Sequence, residues 1–278
     1  MTMLKAKKHL GQNFLKNPSI LNKIVGEWGL TDTHVVEIGP GPGDLTAAIV
    51  RQEPLSLALI EIDDDMIPLL RERFAWENIA IYHQDVLQTN IQESATPLTE
   101  GQLCTYKNKT IETPPYKLYG NIPYYITSPI IYHILYEIDY APTSMTITMQ
   151  KEVAERILAR DNKHSVLSLT CQLMADIHRI CDISPNNFVP APKVWSTCLE
   201  FDIKKDCARE TNKKLLQIIK AGFSQKRKKL VSNLTNNKKY SKEKITAAFE
   251  KIWLSAEIRA EDVTLEQWRE LGRHLLDA

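Results

Sequence analysis

The chain has 278 residues, of which 43% are hydrophobic and 25% are charged, and its formal net charge at pH 7 is +1. This composition is typical of an ordinary globular protein that can form one large domain and a smaller one. It excludes a membrane-spanning chain, because no run of about 18 apolar residues occurs.

The cysteines and histidines indicate neither disulfides nor a metal centre. The five cysteines form no Cys-x-x-Cys pair, and the start of the chain lacks the apolar segment of a secretory signal. An odd number of cysteines without such a signal predicts reduced thiols in the cytoplasm. The seven histidines show no spacing typical of metal ligands, so we predict no metal site.

The near-zero net charge conceals an uneven distribution of charge along the chain. The segment 211–242 contains many basic residues and no acidic one, and the segment 1–16 contains several lysines and no acid. Such basic stretches are typical of surfaces that bind a polyanion such as RNA. A solvated helix face is the alternative interpretation of either stretch.

In chain order, the segment 1–16 is predicted to form a loop or arm, followed by a helix that begins after Asn17-Pro18. Apolar strands then alternate with helices. Strands are predicted at 34–38, 57–60, 79–82, 117–119 and 143–149, and helices at 45–51, 64–74, 129–136 and 151–159. A polar insert over about 88–115 is predicted to be a surface excursion.

The last strands are predicted at Ser165–Ile180 and Lys193–Ile203, antiparallel at the sheet edge. Beyond residue 205 the periodicity is helical throughout. The alternation of strands and helices predicts an α/β fold with a right-handedly wound, Rossmann-like parallel sheet. We therefore expect a catalytic domain over residues 1–205 and a small all-helical domain over residues 206–278.

A glycine-rich segment, Glu37-Ile38-Gly39-Pro40-Gly41-Pro42-Gly43-Asp44, joins the first long strand to the next helix. Glycines at such a turn allow a ligand to approach the backbone closely. The dinucleotide pattern G-x-G-x-x-G/A fails, because Asp44 or Thr46 occupies its last position. Acids beside the turn would repel a pyrophosphate, whereas S-adenosylmethionine carries a positive charge and no phosphate. We therefore predict S-adenosylmethionine as the cofactor.

Two further acids follow neighbouring strands of the predicted sheet. Glu61 ends the second long strand, where a carboxylate can accept both hydroxyls of a ribose, and Asp85 follows the third, where it can accept from an adenine amine. Taken singly, either acid is also typical of a helix cap or a turn. Because both occur at the ends of consecutive strands with the glycine turn, a shared ligand site is the better interpretation.

The segment Gly120-Asn121-Ile122-Pro123-Tyr124-Tyr125 ends another predicted strand. Asn121 offers a side-chain carbonyl, Pro123 fixes a turn, and Tyr124 offers a flat aromatic face. Together these groups suit a planar base that carries an exocyclic amine. A plain strand-to-helix turn is the alternative.

With these residues the chain resembles the ribosomal RNA adenine N6,N6-dimethyltransferases, specifically the bacterial enzymes acting on small-subunit rRNA. The resemblance covers nearly the whole chain. Its most specific motifs are the Q-N-F-L element of the arm, N-[IL]-P-Y at residues 121–124 and F-x-P-x-P-K-V at residues 188–194. Further matches include E-I-G-P-G-x-G at residues 37–43, Gln84-Asp85, residues 150–156 and F-x-Q-[KR]-R-K at residues 223–228.

The resemblance implies a class I methyltransferase that dimethylates adenosines in small-subunit rRNA of an assembling ribosomal subunit. It implies that Asn121 and Tyr124 engage the target base and that Phe188 closes its pocket. The implied cofactor-binding residues are Asn13, Leu15, Gly39, Gly41, Glu61, Asp85 and Asn121. The candidate RNA phosphate contacts are Lys7, Lys8, Lys220, Lys226, Arg227, Lys228 and Lys229. We also expect a monomer.

The chain departs from the family pattern at two positions. The family often has Asn where this chain has Tyr125, and Asp where it has Trp195. Three other functions remain open. They are adenine-N6 methylation of large-subunit rRNA or of DNA, a nucleotide-dependent oxidoreductase, against which the missing third glycine argues, and a non-catalytic RNA-binding assembly factor.

Overall fold

The computed structural model of the chain describes residues 6–7, 10–26, 29–75, 79–88, 115–160, 163–205 and 208–276. The predicted surface excursion at 88–115 lies almost wholly outside these ranges. Lys8, a predicted RNA phosphate contact, also lies outside them. Among the described residues, no helix has the length and apolar character needed to cross a membrane.

The described residues form nine strands in two sheets. The strands are β1 (Phe14–Leu15), β2 (His34–Ile38), β3 (Ser56–Glu61), β4 (Ile79–His83), β5 (Tyr116–Asn121), β6 (Ser144–Gln150), β7 (Ala175–Ile183), β8 (Phe188–Val189) and β9 (Ser196–Ile203). The larger sheet has the order β4-β3-β2-β5-β6-β9-β7. The five neighbouring strands β4, β3, β2, β5 and β6 are parallel to one another, and β9 is antiparallel to β6. This arrangement confirms the predicted parallel sheet with an antiparallel edge.

Helices follow the strands as the alternating pattern predicts. They are α1 (Pro18–Val25), α2 (Asp44–Val50), α3 (Met66–Arg73), α4 (Thr127–Tyr132), α5 (Lys151–Leu158), α6 (Val166–Met174), α7 (Arg209–Gly222), α8 (Leu230–Asn236), α9 (Lys242–Lys251) and α10 (Leu265–Leu276). A π-helical turn, His133–Glu137, extends α4. The start of α1 at Pro18 agrees with the helix predicted after Asn17-Pro18. The Asn17 side chain caps this helix by accepting hydrogen bonds from the N–H groups of Ser19 and Ile20.

The strand predicted over Ser165–Ile180 is wrong in its first half. Residues 166–174 form helix α6, and only the segment from Ala175 onward is a strand. A capping box explains the helix, because the Ser165 hydroxyl accepts from the Ser168 N–H at 3.1 Å while the Ser168 hydroxyl accepts from the Ser165 N–H at 2.7 Å. A short apolar run does not by itself distinguish a buried strand from a buried helix.

The chain divides into two compact units. One contains residues 1–154 and 177–203, and the other contains residues 155–176 and 204–278. The second unit therefore begins near the predicted boundary but also includes α6, which packs against α7 and α10. In the same unit the His164 N–H donates to the Glu261 carbonyl at 3.1 Å. The prediction assigned residues 155–176 to the first domain because it placed the boundary at residue 205, where the periodicity becomes helical throughout.

A small second sheet joins two distant segments of the first unit. Strands β1 and β8 are antiparallel, with Phe14 opposite Val189 and Leu15 opposite Phe188. The Lys16 N–H extends the pairing by donating to the Asn187 carbonyl at 2.8 Å. The predicted arm thus ends in a strand whose partner belongs to the F-x-P-x-P-K-V motif.

The central strands are buried along nearly their whole length. Every residue of β2 is buried, as are all residues of β3 except Ser56. Helices cover both faces of a parallel sheet, so its strands consist largely of apolar residues. The carboxyl ends of these strands come together at one edge of the sheet, where polar side chains gather.

Candidate active site

An open cleft lies at the carboxyl ends of β2, β3, β4 and β5 in the first unit. Its empty volume is about 1020 Å³, which includes the open mouth. The arm from Leu10 to Leu15 forms one wall, and the segment Asn121–Ile126 forms another. Ligands of open α/β sheets bind at this edge. The structure therefore brings the predicted cofactor residues together, because all of them line the cleft: Asn13, Leu15, Gly39, Gly41, Glu61, Asp85 and Asn121.

The glycine turn packs directly against the arm. Gly41 has a φ of +54°, a region that favours glycine, and a Cβ added there would lie 2.9 Å from Cε1 of Phe14. The Gly41 N–H donates to Oε2 of Glu61 at 2.9 Å. A side chain at residue 41 would therefore displace Phe14 as well as strain the backbone.

Glu61 is a buried carboxylate held by the backbone. Its Oε2 accepts from Gly41, and its Oε1 accepts from the Asp63 N–H at 2.8 Å. Burial raises the pKa of Glu61, while the two N–H donors act in the opposite direction. Each carboxylate oxygen has a further lone pair, so Glu61 can still accept hydroxyl groups from the cleft.

Glu37 is a second buried acid, on the wall of the cleft before the glycine turn. Its Oε2 accepts from the Thr46 hydroxyl at 2.6 Å. Burial raises the pKa of Glu37 to about 8, against which the Thr46 hydrogen bond acts. Burial therefore favours the protonated carboxyl group in the folded protein, which reduces the negative charge at the base of the turn.

Asp85 lines the cleft and also caps a short turn. Its Oδ1 accepts from the Leu87 N–H at 3.0 Å, and its Oδ2 accepts from Nε2 of Gln88 at 3.4 Å. The structure thus combines the two interpretations that the sequence left open, a turn acid and a wall of the ligand site. The capping contacts fix the direction in which the carboxylate faces the cleft.

Lys7 does not lie free for an RNA phosphate, which corrects its predicted role. Its ammonium lies 2.6, 2.9 and 2.7 Å from carboxylate oxygens of Asp63, Asp64 and Asp65. The hydrogen bond with Asp63 is the largest cause of a raised Lys7 pKa, and Lys7 in turn lowers the pKa of Asp64. Sequence reasoning missed this pairing because the partners lie far from Lys7 along the chain.

Gln12 adds a second attachment of the arm to the same loop. Its Nε2 donates to Oδ2 of Asp63 at 2.6 Å, and its Oε1 accepts from the Lys7 N–H at 2.8 Å. Asp63 is buried and follows closely after Glu61. The arm is therefore fastened next to the acid that is predicted to hold a ribose. In the sequence, Gln12 was noted only as part of the Q-N-F-L element, and its contact with Asp63 was not predicted.

The orientation of the Asn121 amide is set by the arm. Its Nδ2 donates to the backbone carbonyl of Asn13 at 3.0 Å. Since the amide nitrogen is used in this way, the opposite end, Oδ1, is the acceptor available to the cleft. The Pro123 carbonyl accepts from Ile126 and Thr127. Ile122, the next residue, also lines the cleft.

Tyr124 lines the cleft and is fixed at its tip. Its hydroxyl lies 2.7 Å from the hydroxyl of Ser196, which is wholly buried at the start of β9. Burial raises the pKa of Tyr124. Sequence reasoning missed Ser196, whose only signal was its position just after the F-x-P-x-P-K-V motif.

Phe188 does not line the cleft, contrary to its predicted role of closing the base pocket. Its side chain is 2% exposed and belongs to the hydrophobic core with Leu15 and Leu21. It lies opposite Leu15 in the small sheet, and Leu15 is itself buried in the same core. In this structure Phe188 therefore contributes to the hydrophobic core.

The predicted basic surface of the second unit is exposed. Lys226, Arg227 and Lys228 lie exposed between α7 and α8, and Lys220 is exposed in the last turn of α7. Lys229 is paired with Glu257, with Nζ 2.5 Å from Oε1. The three consecutive basic side chains from Lys226 to Lys228 therefore form the accessible part of this surface, and among the described residues no ion pair is recorded for them.

Comparison with known proteins identifies the family. The model of the family described as ribosomal RNA adenine dimethylase matches residues 3–274. The chain belongs to this family. A ribosomal RNA small subunit methyltransferase A of Mycoplasma mobile is 36% identical over 265 residues, covering 95% of each chain. The predicted resemblance is confirmed, and the oxidoreductase alternative is excluded.

Solved structures share the fold of this dimethylase. A dimethyladenosine transferase of Plasmodium falciparum superposes with a TM-score of 0.74 at 24% identity, covering 93% of this chain and 95% of its own. The 23S rRNA methyltransferase ErmE superposes with a TM-score of 0.68 at 23% identity, covering 95% and 99%. These structures confirm a Rossmann-like methyltransferase fold with a helical C-terminal region. At this identity they support the fold alone.

Proposed function

We propose that this dimethylase transfers methyl groups from S-adenosylmethionine to N6 of two adjacent adenosines near the 3′ end of small-subunit rRNA, dimethylating each. One observation carries the proposal: the Asn121 amide is oriented by the Asn13 carbonyl so that its oxygen is available to the cleft, beside the glycine turn. The name of the Mycoplasma mobile relative supports the small subunit as the source of the RNA.

The donor set of the cleft fits S-adenosylmethionine. Glu61 would accept the ribose hydroxyls, and Asp85 would accept the adenine amine. Asn13, Leu15, Gly39 and Gly41 would form the walls around the rest of the cofactor. When bound, the cofactor supplies an electrophilic methyl group on a positively charged sulfur. The other acids that line the cleft, Asp44, Glu61 and Asp85, favour such a charge and oppose a pyrophosphate.

The residues 121–124 would prepare the adenine amine. Its lone pair is delocalised into the ring, so the free amine is a poor nucleophile. The Asn121 oxygen and the Ile122 carbonyl can accept its two N–H groups and favour a pyramidal nitrogen. Tyr124 can stack on the base, which contributes roughly 1–3 kcal/mol. The target base must leave its stack to reach this position.

The reaction needs no general base. The amine held by Asn121 and Ile122 would accept the methyl group that the cofactor supplies, leaving a neutral thioether, and the methylated nitrogen would lose its proton to water. Catalysis therefore consists mainly of positioning and electrostatics. In the second methyl transfer only one N–H remains to be accepted, so one of the two carbonyl contacts is lost.

The exposed basic residues of the second unit would contact RNA phosphates. These contacts position an RNA without selecting an adenosine, since they bind its sequence-independent backbone. Structured RNA is recognised mainly by shape, so we infer that the substrate is an assembling small subunit rather than naked RNA. We also propose that the protein acts in the cytoplasm as a monomer.

Substitution of Asn121 tests the proposal. Asn121→Ala should abolish methyl transfer to immature small subunits and leave the cofactor dissociation constant within about tenfold of the wild type. Calorimetry with S-adenosylmethionine supplies the internal control for folding of the cleft. Turnover close to that of the wild type would contradict the role of Asn121.

Mapping of the methylated nucleotides distinguishes the remaining alternatives. Dimethylated adenosines in the small-subunit rRNA are the expected product. Methylation of large-subunit rRNA or DNA instead would assign the protein to another adenine-N6 specificity. Binding to small subunits without any transfer would indicate an assembly factor.

A further inference from the structure

Two large aromatic side chains remain exposed near the cleft. Trp195 is 50% exposed and Tyr125 is 63% exposed. Tyr125 lines the cleft itself, next to Tyr124. Large aromatic rings at a protein surface are common where a flat ligand stacks.

The position of Trp195 follows from the sheet. It immediately precedes Ser196, which contacts the Tyr124 hydroxyl. Ser196 is also opposite Gln150, the last residue of β6, and β6 is the neighbour of β5, whose end carries Asn121. Trp195 therefore lies at the same edge of the sheet as the base-binding segment, directly next to the anchor of Tyr124.

Trp195 is held in place although half of it faces solvent. The Lys151 N–H donates to the Trp195 carbonyl at 2.9 Å, and Lys151 Nζ lies 5.8 Å from the centre of the indole ring. Lys151 is itself fixed by Asp182 at 2.8 Å. A ring that is already ordered loses little conformational entropy when a ligand stacks on it.

The charge around Trp195 favours a nucleotide. Lys193 is exposed shortly before Trp195, and no ion pair is found for it among the described residues, whereas Lys151 is already paired with Asp182. An aromatic face beside an available cationic side chain can bind both a base and its phosphate. The neighbouring cleft is the proposed site of the target base, so the next base along the strand is the ligand within reach.

We propose that Trp195, with Tyr125 at the cleft margin, is a stacking platform for the unpaired base adjacent to the target adenosine. This platform rests on the proposed function and deepens it, because it would hold the neighbouring nucleotide single-stranded while one adenosine occupies the cleft. The platform would not distinguish one base from another, since every base has a flat face.

Fluorescence of 2-aminopurine tests the platform directly. A small-subunit rRNA fragment carrying 2-aminopurine next to a target adenosine should show quenched fluorescence on binding the wild-type protein. Trp195→Ala should abolish that quenching and raise the dissociation constant about 5- to 150-fold, the range expected for one stacked base. The variant should raise KM for the RNA by a similar factor and leave kcat within about twofold.

Matched variants separate stacking from packing. Trp195→Phe should retain most of the quenching, whereas Trp195→Leu, which keeps an apolar side chain without a π face, should lose it. Trp253→Ala removes a tryptophan that is 93% exposed in the other unit and should leave the quenching unchanged. Quenching that persists in Trp195→Ala, or that is lost equally in Trp195→Phe, overturns the platform.

The outcomes also separate this inference from the proposed function. Quenching that depends on Trp195 in a protein that transfers no methyl group would support the platform and refute the function. Methyl transfer whose KM is unaffected by Trp195→Ala would support the function and refute the platform.

Discussion

The hydroxyl groups of Tyr124 and Ser196 lie 2.7 Å apart and join the turn after β5 to the first residue of β9. Tyr124 is therefore fixed at its backbone by the turn and at its tip by a wholly buried serine. Since the ring lines the cleft, the angle it presents to a bound base depends on a strand at the antiparallel side of the sheet. Ser196 is thus a positioning residue for the proposed reaction.

Removing the Ser196 hydroxyl should impair turnover more than cofactor binding. A hydrogen bond of this kind contributes about 0.5–1.5 kcal/mol, so Ser196→Ala should lower kcat roughly 2- to 12-fold. The dissociation constant of S-adenosylmethionine should not change. Initial rates with labelled cofactor and calorimetry measure the two quantities.

A double-mutant cycle supplies the control. Tyr124→Phe removes the other hydroxyl of the pair, so the combined variant should be no worse than the more impaired single variant. Fully additive losses would show that the two hydroxyls act independently.

Two glycines with similar backbone angles should respond differently to alanine. Gly39 and Gly41 have φ values of +63° and +54°, but a Cβ at Gly39 meets nothing within 4 Å, whereas a Cβ at Gly41 meets the Phe14 ring. Gly39→Ala should cost roughly 1–2 kcal/mol of unfolding free energy from the backbone alone. Gly41→Ala should cost more, measured by denaturant unfolding without cofactor.

The Phe14 side chain accounts for the expected difference between the two glycines. In a Phe14→Ala background, Gly41→Ala should destabilise the protein by about the same amount as Gly39→Ala. Equal costs in the wild-type background would argue against close packing of Phe14 on the glycine turn.

Glu37 should make stability depend on pH in a definite direction. Its folded pKa is about 8 against an ordinary value of 4.5, so between these values only the unfolded chain releases the proton. Raising the pH through this window favours the unfolded state, and the stabilising contribution is fully lost above the folded pKa. Below the ordinary value both states are protonated and the contribution is complete.

Glu37→Gln isolates that contribution, because the amide keeps a neutral acceptor for Thr46. Between pH 5 and pH 8 the wild type should lose unfolding free energy relative to the variant, on the order of 1 kcal/mol per pH unit. Urea unfolding at both pH values measures it. A difference between the two proteins that does not change with pH would contradict the raised pKa.

The exposed basic segment should determine the salt dependence of RNA binding. Each phosphate contact contributes roughly 0.7–0.9 to the slope of log K against log salt concentration. Replacing Lys226, Arg227 and Lys228 together by alanine should reduce that slope by roughly 2–3. Filter binding of a small-subunit rRNA fragment over a range of salt concentrations measures it.

Lys229→Ala is the matched control for the basic segment. Its ammonium is paired with Glu257, so its removal should change the slope less than removal of a neighbour such as Lys228. An unchanged slope in the triple variant would place the RNA contacts elsewhere.

The parallel sheet and the cleft could be predicted from the sequence because their signals are local. Strands such as β2 and β3 are short runs of buried apolar residues, and Glu61 and Asp85 follow strands directly. Strand ends of a parallel sheet meet at one edge, so the site residues could be grouped without knowing the contacts between them.

Features that depend on long-range partners could not be predicted. In the sequence Lys7 is one of several lysines without nearby acids, and its ion pair with Asp63 is visible only in the structure. Likewise, the sequence does not show that Phe188 pairs with Leu15 in a small sheet and is buried there. Helix α6 was missed for a different reason, because the signal was local but was a cap at Ser165 rather than a periodicity.

The pairing of β1 with β8 has a consequence for how the protein is made. Phe14 and Leu15 leave the translating ribosome early, but their partners Val189 and Phe188 are synthesised only after the whole parallel part of the sheet. Until then the arm can be attached through Gln12 to Asp63 and through Asn13 to Asn121, but β1 has no strand partner. A protein proposed to modify new ribosomes therefore completes the small sheet beside its cleft only late in its own translation.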